Sequence, residues 1–173
     1  MKCDKKTMLL YAVTDRAWTG RQSLYEQVEA ALKGGATCIQ LREKDLNGKD
    51  FLREAMEISA LCKEYQVPFL INDNVEIAIQ CHADGVHVGQ EDMEAFKVRQ
   101  RVGKDMIIGV SVHSVEEALE AVRNGADYLG VVKRIYPSFP VQALTVSLWS
   151  VRFLQQRILQ GNVVCFANYQ KKW

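Results

Sequence analysis

Hydrophobic and polar positions alternate between two textures over the first 130 residues. Short apolar, β-branched runs recur as "LLYAVT" (9–14), "TCIQLR" (37–42), "VPFLIN" (67–72), "DGVHVG" (84–89), "MIIGVS" (106–111) and "DYLGVV" (127–132). Between them lie segments whose apolar residues recur every three or four positions, the spacing of a helix with one buried face. Residues 22–33 set Leu24, Val28, Ala31 and Leu32 on one side, residues 49–65 Phe51, Leu52, Ala55, Ile58, Leu61 and Cys62, and residues 114–123 Val115, Ala118, Leu119 and Val122. Most of the apolar runs lack polar alternation, which predicts parallel strands covered on both faces.

Three helix-to-strand joints echo one another, "GGATCIQL", "HADGVHVG" and "NGADYLGV", and a glycine near each suits a helix C-cap. Six β-runs, each followed by a helix, describe repeated βα units, either in an open doubly wound sheet or in a (β/α)₈ barrel. No GxGxxG follows the first run, against a dinucleotide-binding open sheet. Polar residues instead gather past several strand ends: Thr14-Asp15, Gln40-Arg42-Lys44, Asn72-Asp73, Gln90-Asp92 and Ser111-His113. A barrel builds its active site at that end from many strands at once, so a TIM-type (β/α)₈ barrel is expected. Units one to six occupy residues 1–131. The divergent tail, 132–173, holds a turn around Pro137 and Pro140, a helix over about 145–159 and the run "NVVCFA" as a candidate seventh strand. No eighth strand is found, so the barrel is expected to be C-terminally incomplete.

Charge marks the same seam. Up to Asp127 there are 16 basic and 21 acidic residues, a net −5, while the 46 residues from Tyr128 carry six basic side chains and no carboxylate. The tail's basic residues are scattered among apolar ones, which argues against nucleic-acid binding. With 173 residues, 48% hydrophobic and 25% charged, the chain has the makings of one globular domain. It has no 18-residue apolar run, and the stretch after its N-terminal lysines is too short for a signal peptide, so a cytoplasmic protein without membrane partners is expected. Five cysteines without CxxC spacing read as reduced thiols.

Candidate chemistry begins with "QLREK". Strand alternation puts Gln40, Arg42 and Lys44 on one side, where an amide, a guanidinium and an ammonium suit a pyrophosphate. Asp73 in "LINDN" and Asp92 in "GQEDM" follow two other strands and could hold Mg²⁺ against such a diphosphate; the alternative for each is a helix N-cap. "GVSVHS" ends a strand with Ser111, a ligand hydrogen-bonding candidate, and His113, a candidate proton carrier. Ser114 and Glu117 fit a capping box. His87 is either a barrel-interior histidine or a site residue.

Together "YAVTD", "QLREK", "INDNVEIA", "ADGVHVGQEDM", "GVSVHSVEEA" and "GADYLGV" closely resemble the thiamine phosphate synthases, from about Leu9 to Val131. That resemblance implies a (β/α)₈ transferase joining 4-amino-2-methyl-5-(diphosphooxymethyl)pyrimidine to a thiazole phosphate, releasing pyrophosphate by a dissociative mechanism. It implies substrate contacts along Gln40, Leu41, Arg42, Glu43 and Lys44, with Asn72 assisting and Ser111 at the pyrimidine ring. Asp73 and Asp92 would hold Mg²⁺, and no acid–base residue is demanded. The partners are then two small molecules.

The resemblance fades where the charge pattern changes. The family's "GPIFPT-x-TK" type loop, which binds the thiazole phosphate, is replaced by "GVVKRIYPSFPVQ", in which Ser138 could supply one hydroxyl. A frameshift near codon 131 is the expectation; sequencing the gene through that codon should restore the family pattern in another frame. Two alternatives follow. One is a non-catalytic remnant that at most binds the pyrimidine diphosphate, or that recovers closure of its sheet by strand exchange between copies. The other is a thiazole tautomerase using His113, which would have no need of the Asp73–Asp92 pair.

Overall fold

The computed structural model of the chain describes residues 3, 5–16 and 22–131. Six strands, β1 (Tyr11–Val13), β2 (Cys38–Leu41), β3 (Phe69–Asn72), β4 (Gly85–Val88), β5 (Ile107–Val112) and β6 (Tyr128–Val131), form one parallel sheet in sequential order. Five helices alternate with them: α1 (Leu24–Lys33), α2 (Gly48–Glu64), α3 (Val75–Gln80), α4 (Ala95–Val102) and α5 (Val115–Arg123). Each strand pairs with the next in the chain, so the order never reverses as it would in a doubly wound sheet. The sheet is curled like half a barrel. Its two ends meet across the concave side, where the Tyr11 and Tyr128 hydroxyls lie 2.7 Å apart. The tail from residue 132, with its expected helix, seventh strand and Ser138, lies outside the described residues.

The period of two explains why the apolar runs lack polar alternation. Ile39, Leu41, Phe69, Ile71, Val86, Val88, Ile108, Val110, Val112 and Leu129 point outward into one large core against the helices. The intervening residues point into the curl, where Cys38, Leu70, Ile107, Tyr128 and Met8 make a second, smaller core. Both faces of β2 to β6 are therefore largely buried, while β1 at the sheet edge is partly open, with Val13 47% exposed.

Four helix-to-strand joints end alike. The second residue after the helix takes a left-handed conformation, and two backbone bonds close the turn, as Gly35 N–H to Leu32 O at 3.0 Å and Ala36 N–H to Ala31 O at 3.0 Å do after α1. Gly35 and Gly125 fill this position as the glycine pattern predicts; Gln66 and His82 fill it at the other two joints. The glycine of "HADGVHVG" has a different task. Gly85 lies within β4, where an added Cβ would come within 2.6 Å of the Ile107 carbonyl oxygen.

Among the described residues no helix is long and apolar enough to cross a membrane. Cys38, Cys62 and Cys81 are free thiols. Burial pushes Cys62 up to about 12 and Cys81 to about 11, so both are inert near neutrality.

Candidate active site

Polar side chains from all six strands meet inside the curl. Gln40 of β2, only 4% exposed, donates through Nε2 to Asn72 Oδ1 of β3 at 2.5 Å. The Tyr11 hydroxyl of β1 donates to Gln40 Oε1 at 2.9 Å and contacts the Tyr128 hydroxyl of β6. Tyr128 lies 2.8 Å from His87 Nδ1 of β4, and His87 Nε2 lies 2.9 Å from Ser111 Oγ of β5. The strand register explains the assembly: Asn72, His87, Gly109 and Tyr128 stand side by side on β3 to β6. Gly109 has no side chain, and the Tyr128 ring occupies the space this leaves. Burial drives His87 down to about 4, despite the opposing field of Asp92, so its ring is neutral. His87 is thus an interior histidine in contact with a candidate site residue, which joins the two readings of it.

The carboxylates sit at the strand ends beside this chain. Asp73 follows β3 with φ of 64°, a left-handed conformation uncommon outside glycine that Asp tolerates better than most. Its N–H donates to the His87 carbonyl at 2.7 Å, which anchors the turn. Neither aspartate is a helix cap. The side chain capping α3 is Asn74, donated to by Ile77 N–H at 3.0 Å, and the N-cap residue of α4 is Glu94, whose side chain makes no cap hydrogen bond. Asp92 instead accepts from Gly89 N–H at 2.7 Å. Burial, then a hydrogen bond and repulsion from Asp92, raise Asp73 to about 6, while Lys44 and Arg42 pull the other way. The two carboxylates share one small space.

The "QLREK" residues part company. Gln40 points inward, and Lys44 lines a cleft of about 480 Å³ together with Glu43, Phe51, Asn72, Asp73 and Met93. Arg42 is half-exposed, 3.8 Å from Asp15, and its N–H donates to Thr14 Oγ1. Leu41 faces the helices and is fully buried. The Glu43 side chain turns back into its own loop, accepting from the N–H groups of Lys44 (2.8 Å), Asp45 (2.7 Å) and Leu46 (3.2 Å), and it pairs with Arg16, which also holds Glu54. Burial works to raise the Glu43 carboxyl, but Arg16 and the loop amides outweigh it and hold it below the usual range. Glu43 therefore shapes the loop that presents Lys44. Arg16→Met leaves that carboxylate, 1% exposed, without its cation. It is expected to cost about 2–3 kcal/mol in urea unfolding at pH 7, with a smaller difference from the parent at pH 4 as the carboxylate protonates.

His113 is half-exposed and turned to α5, with Nδ1 3.2 Å from Glu117 Oε2. Ser114 caps that helix, accepting from Glu117 N–H at 3.1 Å, but Glu117 reaches the His113 N–H at 2.7 Å, so the expected capping box closes one residue early. Sequence reading missed Tyr11 and Tyr128, the two phenols that link the chain of polar groups. Each lies in an apolar run and looks like core until the curl brings β1 to β6.

Comparison with known proteins agrees with this architecture. The model of the family described as thiamine monophosphate synthase matches residues 10–140. The chain belongs to this family. The thiamine-phosphate synthase of Clostridium acetobutylicum is 46% identical over 149 residues, covering 86% of this chain and 71% of that protein. That of Clostridioides difficile is 42% identical over 154 residues, covering 89% and 73%. The thiamine phosphate pyrophosphorylase structure from Pyrococcus furiosus superposes with a TM-score of 0.79 at 35% identity, covering 95% of this chain and 77% of its own. The family match runs nine residues beyond Val131, so the family pattern continues a short way into the tail.

Proposed function

We propose that the chain is a thiamine phosphate synthase of (β/α)₈ type, which joins the aminopyrimidine methyl diphosphate to a thiazole phosphate and releases pyrophosphate. The observation that carries the reading is the Asp73–Asp92 pair beside Lys44 and Arg42, next to an interior row of uncharged hydrogen-bonding groups. Such a site has an anion-binding, cation-holding part and a neutral part that suits a heterocycle. Gln40, Arg42, Lys44 and Asn72 bind the pyrimidine diphosphate, with Ser111 at the ring.

The carboxylates suit Mg²⁺. Asp73, raised by burial and by the adjacent Asp92, is only partly offset by Lys44 and Arg42. Among the described residues no three His, Cys, Asp or Glu converge, so the protein offers a pair and leaves the remaining positions to phosphate oxygens and water. Mg²⁺, when bound, supplies positive charge where the leaving diphosphate gains negative charge. Lys44 and Arg42 add to that stabilisation, and holding the two substrates in line does the rest. The bond-making step asks for no general base, in keeping with a neutral, buried His87 and a His113 tied to Glu117. A thiazole tautomerase, by contrast, would leave the aspartate pair without a task.

The test is direct: purified chain, both substrates and Mg²⁺, with thiamine phosphate read as thiochrome fluorescence. Product establishes the synthase. No product from a folded protein that still binds Mg²⁺ and the pyrimidine diphosphate means the non-catalytic remnant.

Mg²⁺ binding carries its own pH signature. Asp73 must lose its proton to bind, so the Mg²⁺ dissociation constant is expected to be flat above about pH 6 and to rise about tenfold per unit below it. Calorimetry in buffers of different ionisation heat should show uptake of Mg²⁺ releasing up to one proton at pH 5.5. Proton release that does not grow below pH 6 contradicts the assignment of Asp73.

A further inference from the structure

The six-strand chain of polar groups has a direction. Gln40 Nε2–H donates to Asn72 Oδ1, and the single Tyr11 hydroxyl hydrogen donates to Gln40 Oε1. The 2.7 Å contact between the phenols therefore needs the Tyr128 hydrogen. With that hydrogen spent, the Tyr128 oxygen can only accept from His87, so Nδ1 carries a proton. Burial keeps both phenols protonated. The His87 ring, 7% exposed, has hydroxyls and no carboxylate at its two nitrogens, and it is neutral; Nε2 is then bare and accepts from Ser111 Oγ–H at 2.9 Å. Every hydrogen in the row points from Ser111 toward Asn72.

We propose that this fixed polarity makes Ser111 a hydrogen-bond acceptor toward the heterocycle, so the site selects a ligand that donates there, an amino group in preference to a carbonyl. Tyr11, Tyr128 and His87 are positioning residues that impose this choice without touching the ligand. At the far end, the same polarity turns the Asn72 amino group, a donor, toward the cleft that Asn72 lines and the diphosphate would enter. One row of hydrogen bonds thus sets opposite characters at its two ends, an acceptor for the ring and a donor for the anion. Reversing it would reverse both ends together, because each hydroxyl has one hydrogen and each amide one oxygen. The inference rests on the proposed function for the identity of the ligand, but the polarity itself does not.

Two measurements test it. Long-range ¹H–¹⁵N spectra of histidine-labelled protein without ligand, with His87 identified by its loss in His87→Gln, should show Nδ1 protonated and Nε2 bare near pH 7. An Nε2–H tautomer overturns the proposal whatever the protein binds. Calorimetry would then compare the aminopyrimidine diphosphate, its 4-oxo counterpart and pyrophosphate, each with Mg²⁺. The amino form should bind roughly tenfold to a hundredfold tighter than the oxo form. Tyr128→Phe should bring the two within about threefold of each other while pyrophosphate binds as before. A phenol with a purely structural part would weaken both pyrimidines alike and leave their ratio unchanged, which overturns the proposal. Equal binding of the two pyrimidines by the parent protein overturns the relay and leaves the function standing. Failure of Mg²⁺-pyrophosphate to bind counts against the function and removes the ligand part of the proposal with it.

Discussion

Asp92→Asn should lower thiamine phosphate formation by a factor of about 10² to 10³ while making the protein slightly more stable near neutral pH. The two effects have one cause. Asp73 is raised to about 6 by burial and by Asp92, so the folded protein binds a proton there more readily than the unfolded chain, whose carboxyl has the ordinary value of 3.8. The stabilisation this represents is complete below pH 3.8 and is lost as the pH rises through 6, because ionising Asp73 then places two negative charges together. Replacing Asp92 by an amide removes the repulsion and lets Asp73 titrate closer to its ordinary value. The Asn side-chain oxygen can still accept the Gly89 N–H, so the loop keeps its shape. Thermal unfolding without Mg²⁺ at pH 7.5 should show a melting temperature higher by roughly a few degrees, with no gain at pH 4. With Mg²⁺ the order reverses, since only the parent site gains stability from binding the ion. A variant that loses activity and stability together at pH 7.5 would show Asp92 to be structural.

Much of this arrangement is legible along the chain, and what is not has physical reasons. The six strands and the helices 24–33, 48–64 and 115–123 fall where the apolar spacing places them, because burial on one stripe of each helix and on both faces of β2 to β6 leaves that record. The aspartates are visible as polar residues after apolar runs, but composition alone could not tell a cap from a ligand. Asn74 removes only the cap reading of Asp73, by taking the cap of α3 one residue later. Leu41 and Glu43 share the motif of Gln40 and Lys44, yet alternation sends Leu41 to the helices, and Arg16, 27 residues earlier in the chain, draws Glu43 back into its loop. Tyr11 and Tyr128 are separated by 117 residues, and their partnership exists only because the sheet curls. His82 shows the limit of the glycine rule: a joint closed by backbone bonds can hold a non-glycine residue left-handed.

Gly109→Ala should destabilise the protein by about 3 kcal/mol or more, an effect far larger than a methyl group in a strand ordinarily has. An added Cβ would lie 2.0 Å from Tyr128 Cζ, 2.3 Å from its hydroxyl oxygen and 2.5 Å from His87 Nδ1. Neither ring has room to retreat, as Tyr128 is 1% and His87 7% exposed. Any movement that relieves the clash also breaks the 2.7 and 2.8 Å contacts on either side of the Tyr128 hydroxyl, leaving buried polar groups without partners. Gly130→Ala is the control one strand away. Its Cβ would meet His87 Cε1 at 3.1 Å and Ser111 Oγ at 3.5 Å, so small shifts suffice and a loss below about 1.5 kcal/mol is expected. Coupling between positions 109 and 128 separates steric conflict from a general weakening of β5. Combined with Tyr128→Leu, which removes the ring tip, Gly109→Ala should cost much less than it does alone. Urea unfolding of the four proteins of that cycle measures the coupling, and strict additivity would mean that Gly109 is needed for its backbone and not for the space it leaves to Tyr128.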